Sequence, residues 1–130
     1  MKIIFFEVSK LDQASFLESF NQAEVSFFEE KLNEENISLA KGADVVSVFV
    51  NSLVNRNVIS ALPSLKFIAT RSTGFDHIDV DYANTKGIKV SNVPAYGSYT
   101  VAEFAFALIL NLSRKIYDAS YQLKEKNNFS

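Results

Sequence analysis

The sequence is poor in the residues that build several common kinds of site. Its 130 residues include no cysteine and a single histidine, His77. Without cysteine, these residues can form no disulfide, no thiolate zinc site and no cysteine nucleophile. One histidine is too few for the metal sites that need a pair. We therefore expect no metal site within these residues.

Glycine is also scarce, and its spacing excludes the common phosphate-binding loops. The four glycines are Gly42, Gly74, Gly87 and Gly97, and no two stand closer than ten residues apart. Neither the dinucleotide-binding pattern GxGxxG nor a P-loop can therefore occur within these residues. The 13 basic and 15 acidic residues give a net charge of −2. Because nucleic-acid-binding proteins usually carry a basic surplus, we expect no nucleic-acid partner.

No apolar run is long enough to predict a membrane span. The longest, between Val101 and Leu112, is interrupted by Glu103 and Asn111. It falls short of the roughly 20 residues that a spanning helix needs. Residues 1–8 lack the long apolar segment and the small-residue cleavage site of a signal peptide. These features predict a soluble, cytoplasmic protein.

Five short apolar segments recur along the chain and predict the strands of a parallel sheet. They are apolar almost throughout, as is typical of strands covered on both faces. Segments with helical spacing separate them, and such alternation indicates a parallel sheet with right-handed crossovers. We predict an α/β, flavodoxin-like, three-layer fold with strand order 2-1-3-4-5. The predicted strands are residues 3–8, 25–29, 44–50, 65–70 and 88–91.

Polar residues at the segment ends predict where two helices begin. Ser9 and Asp12 are spaced as a capping box for the helix that follows the first strand. Asp79 can cap a short helix, and Gly87 can end it.

A long hydrophobic helix is predicted to follow the sheet. Thr100 and Glu103 are spaced as a capping box, and the helix is expected to run to about residue 126. Between Val101 and Leu112 it is apolar on nearly every side, which is typical of a helix that is buried all round. Because a small sheet can cover only one face, we expect a further domain or a partner subunit to cover the rest.

Small residues after the fourth strand form a candidate binding site. Residues 71–76 read RSTGFD, and backbone N–H groups at a strand end can form a nest for a substrate carboxylate. The alternative is a tight turn in which Gly74 has a positive φ. His77 can be interpreted as a general base or, alternatively, as a structural histidine held by Asp76 and Asp79.

Two segments together carry a family resemblance. They are LPSLKFIATRSTGFDHID and GIKVSNVPAYGSYTVAEFAFALILNLSRKI. In combination they resemble the N-terminal third of the D-isomer-specific 2-hydroxyacid dehydrogenases, and most of all the D-lactate dehydrogenase branch. The resemblance is dense over residues 43–116.

The resemblance implies a domain arrangement and an activity. Residues 1–98 would be the N-terminal portion of the substrate (catalytic) domain. Residues 99–130 would be an interdomain and dimerisation helix that leads to an NAD-binding Rossmann domain outside these residues. Such enzymes are usually homodimers, and a homodimer through the segment from Val101 to Leu112 is expected. They transfer a hydride between NAD(H) and C2 of a small D-2-hydroxy acid or 2-oxo acid.

The resemblance also implies substrate contacts for particular residues. The backbone N–H groups of Thr73 and Gly74 would hold the substrate carboxylate, with Ser72 adjoining. Tyr96 would face the substrate, and Asn51 would border its side chain.

The cofactor and the catalytic groups are implied to lie mostly elsewhere. Thr100 and Val101, at the start of the long helix, would approach the nicotinamide. The arginine, glutamate and histidine that catalyse the reaction in this family come after the matched segments, and His77 does not correspond to that histidine. These residues are therefore expected to contain no catalytic residue and to be inactive on their own. The alternative is a stand-alone flavodoxin-like module that binds a small carboxylate or mediates dimerisation.

Overall fold

The computed structural model describes residues 1–126 of the chain. Each of the five predicted strands is present and shorter than predicted, and the first two begin one residue earlier. The strands are β1 (Lys2–Phe5), β2 (Glu24–Phe27), β3 (Val45–Val48), β4 (Phe67–Thr70) and β5 (Lys89–Ser91). The helices are α1 (Lys10–Ser19), α2 (Arg56–Ser60), α3 (Val80–Thr85), α4 (Ser98–Ser113) and α5 (Ile116–Lys126), and a 3-10 turn spans Ile37–Ala40.

The strands form one parallel sheet in the order β2-β1-β3-β4-β5, which confirms the predicted order. Ile3 is paired with Val25 on one side and with Val45 on the other, and Val45 is in turn paired with Phe67. Because parallel strands end at the same edge, the loops after β1, β3 and β4 meet there. This carboxyl edge is where a ligand is expected in such a sheet.

Both faces of the sheet are covered, which explains why the strands are apolar throughout. Successive side chains of a strand point to opposite faces. Ile4 belongs to the larger core with Val46 and Ile68, whereas Ile3 and Phe5 belong to a smaller cluster on the other face. The smaller cluster is completed by aromatic and aliphatic side chains, including Phe16, Phe20, Val25 and Phe27.

The helix starts agree only in part with the predicted caps. The Ser9 hydroxyl donates to the Asp12 carboxylate at 2.7 Å and caps no backbone N–H, so the first capping box is wrong. Asp79 Oδ1 accepts from the Tyr82 N–H at 2.9 Å, which confirms the cap of α3. Gly87 follows α3 with a φ of +72°, as predicted for a helix-ending glycine.

The predicted single long helix is wrong, because two helices occupy that segment. The first turn already begins at Ser98, after Gly97, so Thr100 and Glu103 lie inside α4 and form no capping box. Lys115 has a φ of +51° and interrupts the helical run between α4 and α5. The Asn111 side chain accepts the Tyr117 N–H at 3.1 Å across this break. Residues 127–130 of the predicted helix lie outside the described residues.

The chain divides into two compact units, Met1–Pro94 and Ala95–Ser130. The first contains the sheet and its core. The second contains α4, whose 16 residues give a length of about 24 Å, and α5. No residue of α4 is buried. Among the described residues, no helix is both long enough and apolar enough to cross a membrane.

Candidate functional site

The loop after β4 has an unusual arrangement of backbone carbonyls. In residues 72–74, here called the amide loop, three consecutive carbonyl oxygens each accept a hydrogen bond from the protein. The Ser72 carbonyl accepts from the Val93 N–H at 3.0 Å. The Thr73 carbonyl accepts from the Asn92 side-chain amide at 2.7 Å, and the Gly74 carbonyl from the Ser72 hydroxyl at 2.7 Å.

These bonds determine where the N–H groups of the amide loop point. Every described peptide bond is trans, so the N–H that follows each carbonyl points in the opposite direction within the same peptide plane. The N–H groups of Thr73 and Gly74 are directed away from the carbonyl partners, and neither donates to an acceptor within residues 1–126. Both residues are exposed. Free, outward backbone N–H groups are the donors that a carboxylate needs.

A positive φ at Gly74 does not create this loop. Among the described glycines, only Gly42 and Gly87 lie in the left-handed region, so the alternative of a tight turn with Gly74 at positive φ is wrong. Hydrogen bonds from the β5 side hold the loop instead. Beside the two bonds to the carbonyls of residues 72 and 73, the Thr73 hydroxyl donates to the Val93 carbonyl at 3.0 Å.

Glu7, which was not identified from the sequence, organises the neighbouring loop after β3. Its carboxylate accepts two hydrogen bonds from Asn51 and two from Ser52, including one from the Ser52 hydroxyl at 2.6 Å. A fifth comes from the Phe49 N–H at 3.1 Å. Burial acts to raise the pKa of Glu7, but these hydrogen bonds outweigh it and hold that pKa below its ordinary value.

The backbone at Glu7 is itself strained, with a φ of +57°. A residue with a Cβ adopts this left-handed conformation at a cost of about 1–2 kcal/mol. The five bonds to the carboxylate offset that cost. A charged residue at the end of the apolar run IIFF was the sequence signal for this role.

Arg71 joins the ends of β1, β3 and β4. Its guanidinium donates to the Ser47 hydroxyl at 2.9 Å and to the carbonyls of Phe6 and Glu7 at 2.7 and 3.0 Å. Burial lowers the pKa of Arg71, and the nearby charge of Glu7 opposes that shift. The guanidinium lies 5.9 Å from the centre of the Phe49 ring. Arg71 is therefore a cross-link beneath the carboxyl edge.

Two cavities illustrate why size alone does not locate the site. The larger, about 780 Å³, lies at the amino edge of the sheet, where Asp44, Lys66 and Lys89 line it. A smaller cavity of about 380 Å³ lies at the carboxyl edge beside Glu7 and Arg71. We place the candidate site at the carboxyl edge, because the free N–H groups of the amide loop are there.

The structure places the predicted substrate residues in both units. Asn51, Ser72, Thr73 and Gly74 all follow strands at the carboxyl edge of the first unit. The side-chain amide of Asn51 donates a hydrogen bond to Glu7. Ser72 is buried, and its hydroxyl donates to the Gly74 carbonyl. Tyr96 belongs to the second unit and is exposed.

The predicted nicotinamide contacts, Thr100 and Val101, lie near the start of α4 in the second unit, and both are exposed. Their contact with the nicotinamide stays a prediction. Within residues 1–126, no group of three or more acidic or histidine side chains is placed to hold a metal ion.

His77 was expected, in one of its two interpretations, to be a structural histidine held by neighbouring carboxylates, and its partner in the structure is a different one. Its Nε2 lies 3.2 Å from the Thr70 hydroxyl, so it is held by a hydroxyl group and not by Asp76 or Asp79. Its backbone carbonyl accepts the Val54 N–H at 2.9 Å. Thr70, Asn92 and Val93, which all serve the amide loop, were not identified from the sequence.

Comparisons with a family model and with individual proteins point to the same family. The model of the catalytic domain of D-isomer specific 2-hydroxyacid dehydrogenases matches residues 3–125. The chain is 36% identical to the D-lactate dehydrogenase of Escherichia coli over 135 aligned positions, which cover 100% of this chain and 40% of that protein. A 2-hydroxyacid dehydrogenase homolog of Zymomonas mobilis gives the same identity and the same coverage.

Solved structures agree with the sequence comparisons. The crystal structure of D-lactate dehydrogenase from Aquifex aeolicus, complexed with NAD and lactic acid, superposes with a TM-score of 0.86 at 36% identity. The superposed region covers 98% of this chain and 38% of the Aquifex chain. The chain therefore spans about 40% of the length of the curated relatives that it matches.

Proposed function

Since the chain belongs to the D-isomer specific 2-hydroxyacid dehydrogenase family, we propose that it supplies the carboxylate-binding loop of such an oxidoreductase. The reaction would move a hydride between NAD(H) and C2 of a small D-2-hydroxy acid or 2-oxo acid. The observation that supports this role is the amide loop, where the occupied carbonyls of Ser72 and Thr73 direct the N–H groups of Thr73 and Gly74 outward and leave them free.

The role of these residues would be to bind and orient the acid. In the oxidative direction the C2–H bond would break with its hydride going to the bound cofactor, and a base elsewhere in the enzyme would take the hydroxyl proton. NAD supplies the hydride acceptor when it is bound. Two N–H donors on one carboxylate fix its plane and so limit the orientations of the attached C2 carbon. Thr100 and Val101 would border the nicotinamide.

The end of the acid away from the carboxylate would meet the loop after β3. Asn51 is tied to Glu7, and the exposed Leu53 follows it in the same loop. An apolar residue there favours a short aliphatic substituent on C2 over a charged one. Tyr96 would provide a further wall of the site.

We also propose that α4 meets both a partner subunit and the cofactor-binding part of the enzyme. The support is its composition and exposure: between Val101 and Leu112 all residues of α4 except Glu103 and Asn111 are apolar, and none is buried. Such a helix is stable in water only when another surface covers it.

A nuclear magnetic resonance titration of the ¹⁵N-labelled chain tests the carboxylate site. We expect acetate, pyruvate and D-lactate to shift the amide signals of Thr73 and Gly74 more than other amide signals. Acetamide has the same shape without the charge and should leave them unchanged. The proposal fails if acetate moves no signal, or moves only signals remote from the amide loop.

Variants of two asparagines give a matched control. Asn92→Ala frees the Thr73 carbonyl and should lower the affinity for acetate about fivefold, which is the effect of one lost hydrogen bond. Asn84→Ala removes the same side chain from an exposed position in α3 and should leave the response unchanged. An equal response in both variants would contradict the proposed role of the inward carbonyls.

A further inference from the structure

A row of hydrogen bonds runs from the only histidine of the chain to the amide loop. His77 Nε2 lies 3.2 Å from the Thr70 hydroxyl, which lies 2.6 Å from the Ser72 hydroxyl. The Ser72 hydroxyl in turn lies 2.7 Å from the Gly74 carbonyl. Thr70 and Ser72 are 2% and 3% exposed, so water does not compete freely for either hydroxyl.

Counting hydrogens assigns a direction to this row. A carbonyl only accepts, so the single hydrogen of the Ser72 hydroxyl is donated to Gly74. Ser72 must then accept from Thr70, whose single hydrogen is used in that bond. Thr70 can therefore only accept from the imidazole, and the hydrogen of a neutral His77 lies on Nε2.

The backbone around His77 gives the row a fixed origin. The His77 carbonyl accepts the Val54 N–H at 2.9 Å, and Val54 forms a parallel bridge with Ile78. Val54 is fully buried in the larger core. The imidazole thus starts from a position that the core defines, seven residues from Thr70 along the chain.

We propose that His77 is a positioning residue for the carboxylate site: through Thr70 and Ser72, its Nε2–H fixes the orientation of the Gly74 carbonyl. This inference rests on the proposed function of the amide loop. Bonds from Asn92 and Val93 already hold the first two carbonyls of the loop, and the row from His77 holds the third. With the third carbonyl held inward, the peptide between Gly74 and Phe75 cannot rotate to turn that carbonyl toward an anion bound at the neighbouring N–H groups of Thr73 and Gly74. Such rotation would bring the partial negative charge of the carbonyl oxygen close to the negatively charged carboxylate.

His77 acts here without exchanging a proton with the substrate. Two hydroxyl groups separate its Nε2 from the carbonyl, and the Nε2–H stays on the imidazole throughout. The residue therefore changes how strongly the loop binds a carboxylate, and the readouts are a tautomer and an affinity.

The single histidine makes the tautomer directly measurable. In the ¹⁵N-labelled chain, above the pH at which the imidazole is protonated, long-range ¹H–¹⁵N correlations come from His77 alone. We expect the Nε2–H tautomer. Thr70→Val keeps the shape and removes the hydroxyl, so the tautomer preference should fall to that of a free neutral imidazole, and acetate binding at the Thr73 and Gly74 amides should weaken about fivefold.

Two substitutions of His77 separate hydrogen bonding from packing. His77→Gln retains a side-chain N–H that can donate to Thr70 and should bind acetate within about twofold of the original chain. His77→Phe fills a similar space without a donor and should show the same loss as Thr70→Val. Thr85→Val, which removes a hydroxyl from α3 outside the row, is the control and should bind acetate normally.

The outcomes distinguish this inference from the proposed function. An Nδ1–H tautomer in the unsubstituted chain overturns the row, even if acetate binds. An Nε2–H tautomer with full acetate binding in both Thr70→Val and His77→Phe overturns the positioning role. If the unsubstituted chain does not respond to acetate, the proposed carboxylate site itself fails, and the positioning role fails with it. Preserved amide shifts in the sheet show that each variant is folded.

Discussion

In the unit Met1–Pro94, Phe6 is fully buried and stacks on Phe28 at 5.3 Å, whereas Phe104 and Phe106 of α4 each expose 66% of their surface. The same residue type therefore has opposite surroundings in the two units. Burial of an aromatic side chain contributes about 1.5–3 kcal/mol of stability, and the first unit obtains this from its own residues. The exposed phenylalanines of α4 would contribute a comparable amount only if another surface buried them.

The polar groups of the two units differ in the same way. At the carboxyl edge of the sheet, Glu7 accepts five hydrogen bonds and three carbonyls of the amide loop are occupied. At the start of α4, Gly97 offers no side-chain cap. The polar groups of the proposed site are thus held in place by the first unit itself, whereas the proposed role of α4 depends on contact with another surface.

The largest expected effect comes from exchanging Phe for Ala in each unit. Phe6→Ala should lower the free energy of unfolding by about 4 kcal/mol, because it leaves a cavity in the larger core. Phe106→Ala should change it by less than about 0.5 kcal/mol, since that side chain is mostly exposed. Urea unfolding at low protein concentration measures both. Equal losses would mean that Phe106 is buried within the folded chain and would break the comparison.

Self-association tests what covers α4. We expect the chain to form dimers that light scattering detects, and Leu108→Glu should raise the dissociation constant at least about 100-fold by placing a charge in the contact. Leu11→Glu adds the same charge to α1, where Leu11 is 92% exposed, and should leave the dimer intact. A chain that stays monomeric at high concentration would contradict the proposal for α4.

A smaller and pH-dependent effect is expected at Glu7. Glu7→Gln removes the charge and one acceptor oxygen and should cost about 2 kcal/mol at neutral pH. The pKa of Glu7 is lower in the folded chain than its ordinary value of 4.5. Its contribution is therefore present above pH 4.5 and is lost as the pH falls through the folded-state pKa.

The difference in unfolding free energy between the original chain and Glu7→Gln should accordingly shrink in acid. Urea unfolding at a series of pH values between neutral and about 3 would measure it. Glu18→Gln changes an exposed glutamate of α1 and serves as the control. A difference that stays constant down to pH 3 would show that the carboxylate charge does not hold the loop.

The strand order and the core could be predicted from the sequence for a physical reason. Strands covered on both faces must be apolar throughout, and this requirement is visible in segments such as those around Ile4 and Val46. The position of Thr73 and Gly74 at a strand end was also predictable. Their carboxylate-binding role came from the family resemblance, and it stays a prediction.

The hydrogen bonds that shape the site could not be predicted in this way. Glu7 and Asn51 are 44 positions apart, and Asn92 and Thr73 are 19 apart, so no local pattern links them. The break at Lys115 was missed because the sequence there, RKIYD, contains neither glycine nor proline. Because Lys115 is not a glycine, its left-handed backbone conformation depends on contacts such as the hydrogen bond between Asn111 and Tyr117.

The smallest expected effect separates two glycines of the first unit. Gly87 has a φ of +72°, and a Cβ added there would meet open space, so Gly87→Ala introduces backbone strain without a clash and should cost about 1 kcal/mol. Gly74 is outside the left-handed region, and an added Cβ would lie 3.6 Å from Asp76 Oδ2, an ordinary contact. Gly74→Ala should therefore leave the stability unchanged or raise it by about 0.5 kcal/mol. Urea unfolding of the pair decides the point. If Gly74→Ala is as destabilising as Gly87→Ala, then conformational freedom at residue 74, and not the inward hydrogen bonds, sets the shape of the amide loop.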